Sequence, residues 1–145
     1  LMINLATAIY QAINNAHEYR TFQSIVPKKV YENGQWVSVP FPYVVMKMRP
    51  IESTEKDRDD YTLVVSCWDK ADSDADTSLA RVMGIADSIW QELLHFRYMD
   101  EHNWIQTTRP TQGEVPDPDE TIKRYDVQTT LHVYRRNQYE TSRFQ

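Results

Sequence analysis

YTLVVSCWDKADSDADTSLARVMGIADSIWQELLHF, residues 61–96, is the stretch on which the fold turns. It opens as a strand, because Tyr61, Leu63, Val65 and Cys67 alternate onto one side with the period of two that a half-buried strand requires. After the acidic segment KADSDADT the period changes. Leu79, Val82, Met83, Ala86, Trp90, Leu93 and Leu94 recur at helical spacing and predict one amphipathic helix with its apolar stripe against the strand. Asp76 or Thr77 is the expected cap of that helix, since a short side-chain oxygen satisfies amides left free in the first turn.

On the N-terminal side of this unit, Met2, Leu5, Ala6, Ile9, Tyr10 and Ile13 form a helical stripe, so a first helix of about three turns is expected. Residues 16–27 carry no clear period. The segment KVYENGQWVSV, residues 29–39, holds Asn33-Gly34, and both residues tolerate the positive φ that a type I′ hairpin turn needs. FPYVVMKMR, residues 41–49, is a strand with Val44, Met46 and Met48 on one face and Pro42 at its end. The charged segment 51–60 reads as a loop.

On the C-terminal side, NWIQTTR predicts a short strand over 103–109 that stops at Pro110, and TQGEVPDPDE reads as an exposed, mobile loop. The longest strand is expected over 123–135, with Tyr125, Val127, Thr129, Leu131 and Val133 inward and Asp126, Gln128, Thr130, His132 and Tyr134 on a polar face. Residues 137–145 have no pattern and read as a flexible tail after a single domain over 1–136. Few helices among runs of neighbouring strands predict an α+β fold, an antiparallel sheet with two main helices packed on one face.

Composition narrows the function. A chain of 145 residues with 41% hydrophobic content builds one core. Three glycines leave little for phosphate-cradling loops, and a net charge of -5 disfavours a surface that grips nucleic acid. One cysteine forms no internal disulfide, and no apolar run approaches the ~18 residues of a membrane span, so a soluble protein made in the cytoplasm is expected. Leu1-Met2 reads as a native start at Met2 with one residue ahead of it.

The chemistry-bearing residues do not assemble a motif. Asp72, Asp74 and Asp76 match the first positions of a calcium loop, but Thr77 stands where a glycine is required and Met83 where a bidentate glutamate is required. His17, His95, His102 and His132 lack metal-ligand spacing. Cys67 lies on an apolar strand face and reads as a core residue. No catalytic residue, cofactor or metal is expected; His132 and Asp126 are the leading pair for a competing small-hydrolase reading.

Charge and apolar surplus say more. Segments 52–60, 69–76 and 114–120 hold five, four and four of the 21 acidic residues. These read as solvated loops or as one rim of an assembly, where like charge repels DNA. The second helix carries Ile85, Ile89 and Phe96 beside its main stripe, which fits either a fully buried helix or a subunit interface.

The ordered strings LATAIYQAI, FPYVVM, LVVSCWDKADSDAD, LARVMGIADSIWQELL and RYDVQTTLHVYRR resemble the tail terminator, or tail completion, proteins of long-tailed bacteriophages over residues 5–136. The resemblance implies a structural subunit that forms a six-membered ring at the head-proximal end of the tail tube. The ring would stop tube growth and join the tube to the head connector, with DNA passing through without specific binding. Its partners would be copies of itself, the tube protein and the connector protein, and its place the virion. On this reading Ile85, Ile89 and Phe96 make the ring contact. Asp57, Asp59, Asp60, Glu114, Asp117, Asp119 and Glu120 sit on loops facing the channel or the neighbouring rings. Competing readings are another neck, connector or tube component, and an acidic inhibitor protein.

Overall fold

The computed structural model describes residues 2–71 and 75–136. Helix α1 (Met2–Asn15) is followed by strands β1 (Arg20–Gln23), β2 (Lys29–Glu32), β3 (Gln35–Ser38), β4 (Tyr43–Ile51) and β5 (Arg58–Lys70). Then come helix α2 (Ala75–Leu94) and strands β6 (Tyr98–Met99), β7 (Asn103–Thr107), β8 (Thr111–Glu114) and β9 (Ile122–Arg135). Seven strands make one sheet in the order β1-β4-β5-β9-β7-β6, with β8 also on β9, while β2 and β3 form a separate ribbon. The sheet is mainly antiparallel, as expected, and β1, which the sequence did not show as a strand, adds a parallel edge on β4.

The centre is the β5–β9 ladder, unbroken from Arg58 opposite Tyr134 to Lys70 opposite Ile122. Its register is fixed by burial. Leu63, Val65 and Cys67 on β5 and Val127, Leu131 and Val133 on β9 are all buried, and a slip of one residue would turn a whole set toward solvent. Leu5, Ile9 and Ile13 of α1 and Val82, Ile85, Ala86, Ile89 and Leu93 of α2 join the same core cluster. Each buried Val, Leu or Ile among them contributes about 1.5–3 kcal/mol relative to its exposed state.

The helix expected within 61–96 is present as α2, but its buried face is rotated from the expected one. Met83 is 44% exposed, whereas Ile89 is 0% and Ile85 6% exposed. α2 lies across both central strands and also touches α1, so it needs an apolar arc wider than a single stripe. Ile85, Ile89 and Phe96 are therefore interior residues of the protomer, and the expectation that they offer a free ring contact does not hold. The helix starts at Ala75, ahead of the expected caps Asp76 and Thr77.

The hairpin signal is realised: Asn33 and Gly34 both have positive φ, 52° and 81°, and link β2 to β3. Three segments that looked structureless pair with the sheet. β1 lies within 16–27 and hydrogen-bonds to β4. β4 runs on to Ile51 and β5 begins at Arg58, so the charged loop is shorter than expected and Asp60 is in a strand. β8 lies within the supposed mobile loop 111–120 and pairs with β9.

β8 was hidden by a bulge. Thr107 faces Leu131 but Thr111 faces Gln128, so three residues of one strand oppose two of the other. Pro110 has no N–H to give the ladder. Thr108 closes the gap: its amide donates to the Thr130 carbonyl at 3.0 Å, and its Oγ1 accepts from the Thr130 amide at 3.0 Å. Thr129 Oγ1 donates to the Thr108 carbonyl at 2.7 Å. From the other side the Trp90 indole of α2 donates to the Pro110 carbonyl at 2.7 Å, and the Arg109 guanidinium sits 5.1 Å from the Trp90 ring.

Candidate functional site

Alternation along β4, β5 and β9 sends a second set of residues to the sheet face turned away from the core. Two polar-aromatic clusters lie there, one at each end of the β5–β9 ladder.

At the Arg58 end, Asp60 is 5% exposed and takes hydrogen bonds from His132 Nδ1 and Arg58 Nη2, with Arg58 Nε beside it as an ion-pair contact. His132 Nδ1 lies 2.7 Å from Asp60 Oδ1. An ionised carboxylate only accepts, so this nitrogen carries the proton. Arg58 reaches the same carboxylate with Nε at 2.9 Å and Nη2 at 3.1 Å. Burial pushes the Asp60 carboxyl up, but the hydrogen bonds from His132 and Arg58 and their charge outweigh it, so the group is held below the ordinary carboxylate value. Arg58 also donates to Glu55 Oε1 at 3.1 Å and lies 6.0 Å from the Tyr134 ring, which stacks on Trp104 at 4.2 Å and 9°. Its guanidinium is held above its ordinary value, chiefly by the hydrogen bond with Tyr134.

At the Lys70 end, Arg124 is clamped to Asp126 by two bonds of 2.9 Å and lies 4.9 Å from the Trp68 ring. Trp68 in turn stacks on Tyr43 across β4 and β5, with centroids 6.5 Å apart. A groove of about 330 Å³ opens beside them, lined by Ser24, Ile25, Val45, Lys47, Ser66 and Arg124 among others.

This geometry separates the pair offered for hydrolysis. His132 is partnered by Asp60 and Asp126 by Arg124, and six strand residues keep His132 and Asp126 roughly 20 Å apart. The His132–Asp60 couple is fixed by a permanent cation, and neither residue lines the groove beside Trp68 or the groove of about 410 Å³ between α2 and β7. Cys67 is fully buried, and burial first, then the nearby Asp126 charge, pushes its thiol up to about 12, so it is a packing residue. Among the described residues no group of three or more His, Cys, Asp or Glu side chains is placed to hold a metal ion. Of the calcium-like trio, Asp72 and Asp74 lie outside the described residues and Asp76 falls in the first turn of α2.

The acidic residues do not share one rim of the protomer. Asp57 is exposed just ahead of β5 and Asp59 pairs with Arg135 at 3.0 Å, both at the Arg58 end. Asp60 is buried there, so it is no docking residue. Glu114 ends β8, and Asp117, Asp119 and Glu120 follow in the β8–β9 loop at the opposite end. That loop is shaped by its own carboxylates: Asp117 Oδ1 accepts from the Asp119 amide at 2.9 Å, and Asp119 Oδ1 from the Thr121 amide and hydroxyl at 2.9 and 2.7 Å. The Thr121 bonds hold the Asp119 carboxyl below its ordinary value. The segment 69–71 lies beside it, with the Ala71 amide donating to the Thr121 carbonyl at 2.6 Å. Asp69 itself is 1% exposed and turned toward α2, 3.1 Å from Arg81 Nη1.

Large apolar side chains are left uncovered at several places, Ile25 ahead of the hairpin and Met99 on β6 among them, and two of them meet on the hairpin. Tyr31 is 62% and Trp36 67% exposed, and they meet edge to face at 5.5 Å. The available signal was the alternation around Asn33-Gly34, which puts Lys29, Tyr31, Trp36 and Ser38 on one side of a two-stranded ribbon, and among the described residues Tyr31 and Trp36 stay exposed there.

No protein-family model and no curated protein matches the sequence. Among solved structures, a chain of the virion of a native gene transfer agent particle is similar, with a TM-score of 0.61 and 13% sequence identity over 90% of this chain and 94% of that chain. At that identity the likeness is one of fold, and it runs through nearly the whole of both chains.

Proposed function

We propose that this chain is a structural virion protein of phage type: a subunit of a six-membered ring that caps the tail tube at its head-proximal end and joins it to the head connector. The observation that carries the reading is the fold shared, almost end to end, with a chain of a gene transfer agent virion. Function then lies in shape and contacts, not in catalysis, and the partners are further copies, the tube protein and the connector.

Two features of the fold support it. The helices are read as covering one sheet face, which leaves the other, with Trp68, Tyr43, Trp104 and Tyr134 on it, for neighbours; half-exposed aromatics of this kind are enriched in contact surfaces. The acidic residues stand at two ends, Asp57 and Asp59 at one and Glu114, Asp117, Asp119 and Glu120 at the other, so both ends of the protomer carry negative charge. With a net charge of -5, a ring lumen would let DNA pass without gripping it.

The test is native mass across a concentration series, with negative-stain images of the large species. Closed rings are expected. Open stacks would make the chain a tube subunit instead, since a non-closing head-to-tail contact polymerises, and a monomer at every concentration would count against the ring.

A further inference from the structure

We propose that the β2–β3 hairpin is an arm by which one copy of this chain holds the next, its Tyr31–Trp36 face receiving the proline-rich acidic loop 115–121 of a second copy. The proposal rests on the ring reading above and names the contact that closes the ring.

The hairpin pairs only within itself and stands off the main sheet. A lone two-stranded ribbon is marginal in water and gains from being covered. Its inner side has half-buried Val30 and Val37, while its outer side carries the edge-to-face aromatic pair. Lys28 and Lys29 flank that pair and are exposed. The tight turn with two positive-φ residues closes the tip of the arm, and the Arg20–Glu32 ion pair, 3.3 Å, ties the arm to β1.

The loop 115–121 has the complementary chemistry. Pro116 and Pro118 are exposed, and prolines pack well on aromatic faces because little conformational freedom is lost. Glu114 and Glu120 are exposed on either side of them, opposite in charge to the lysines. The turns made by Asp117 and Asp119 hold the loop in shape before any partner arrives.

Topology places arm and loop correctly for closure. The hairpin lies between β1 and β4, the edge at one side of the sheet, and returns to it at Tyr43. The loop joins β8 to β9 at the other edge. Tyr43 lies opposite Trp68, and Trp68 opposite Arg124, so both features are at the same end of the strands. A contact between opposite edges at one level is head-to-tail and makes a ring where its rotation closes about an axis.

Sedimentation across a concentration series, with melting curves to confirm folding, tests this. Tyr31→Ser with Trp36→Ser is expected to raise the dissociation concentration at least about tenfold. Lys28→Glu with Lys29→Glu is expected to weaken assembly, and adding Glu114→Lys with Glu120→Lys to restore it. Rings that persist in the aromatic variant would overturn the arm while leaving the ring reading intact; weakening without rescue by the charge exchange would overturn the loop as the segment it receives. A wild-type chain that never associates would overturn both.

Discussion

Helix α2 and the β2–β3 hairpin both carry large apolar side chains, and these have opposite fates. Ile89 on α2 is 0% exposed, whereas Trp36 on the hairpin is 67% exposed. The helix crosses the central strand pair and is flanked by α1, so every side of its wide stripe finds a cover within the chain. The hairpin is one layer thick, and only its Val30–Val37 side turns inward. Surplus apolar surface points to a partner only when the fold has no second layer to put on it.

The comparison is broken most directly by Ile89→Asp. If α2 is interior, an unpaired carboxylate among Leu63, Val65 and Leu131 unfolds the protomer or costs more than about 4 kcal/mol in urea denaturation. A folded variant that merely fails to assemble would return Ile89 to the interface.

Next in size is Trp90→Phe, which keeps the ring but removes the bond to the Pro110 carbonyl. A loss of about 1 kcal/mol is expected, with faster amide exchange confined to residues around the 108–110 bulge.

A smaller effect is expected at the α1–β1 corner. His17 Nδ1 accepts from the Tyr19 amide at 3.0 Å, so Nε2 carries the proton toward Thr21 Oγ1 at 2.7 Å, and burial holds the imidazole below its ordinary 6.5. The unfolded chain takes up a proton first as pH falls, so stability is full above about pH 7 and declines below it. Thermal melts at pH 7.5 and 5.5 should differ in the wild type and differ less in His17→Gln.

The smallest effect on folding belongs to the hairpin face. Tyr31→Ser or Trp36→Ser should change monomer stability by no more than about 0.5 kcal/mol, as for other exposed positions. A large loss would mean that the hairpin is part of the core.

The same contrast explains what could be read from the chain. Strand β5, strand β9 and the Asn33-Gly34 turn were legible because alternation and positive-φ residues act locally. β1 and β8 were not, because RTFQ and TQGE have no alternation of their own and are strands only by pairing with longer neighbours. The rotation of α2 was equally hidden: Met83 and Ile85 are both apolar, and which one is buried depends on where α1 and β9 lie. The Asp60–His132–Arg58 cluster joins residues brought together only by the β5–β9 register, and with no fixed spacing it leaves no motif.

The central claim is a ring built from this fold, and the most direct measurement is the native mass of the purified chain together with images of the assembled species. The account predicts closed rings of six times the 17.2 kDa protomer. A monomer at all concentrations, or stacks that grow without closing, would contradict it.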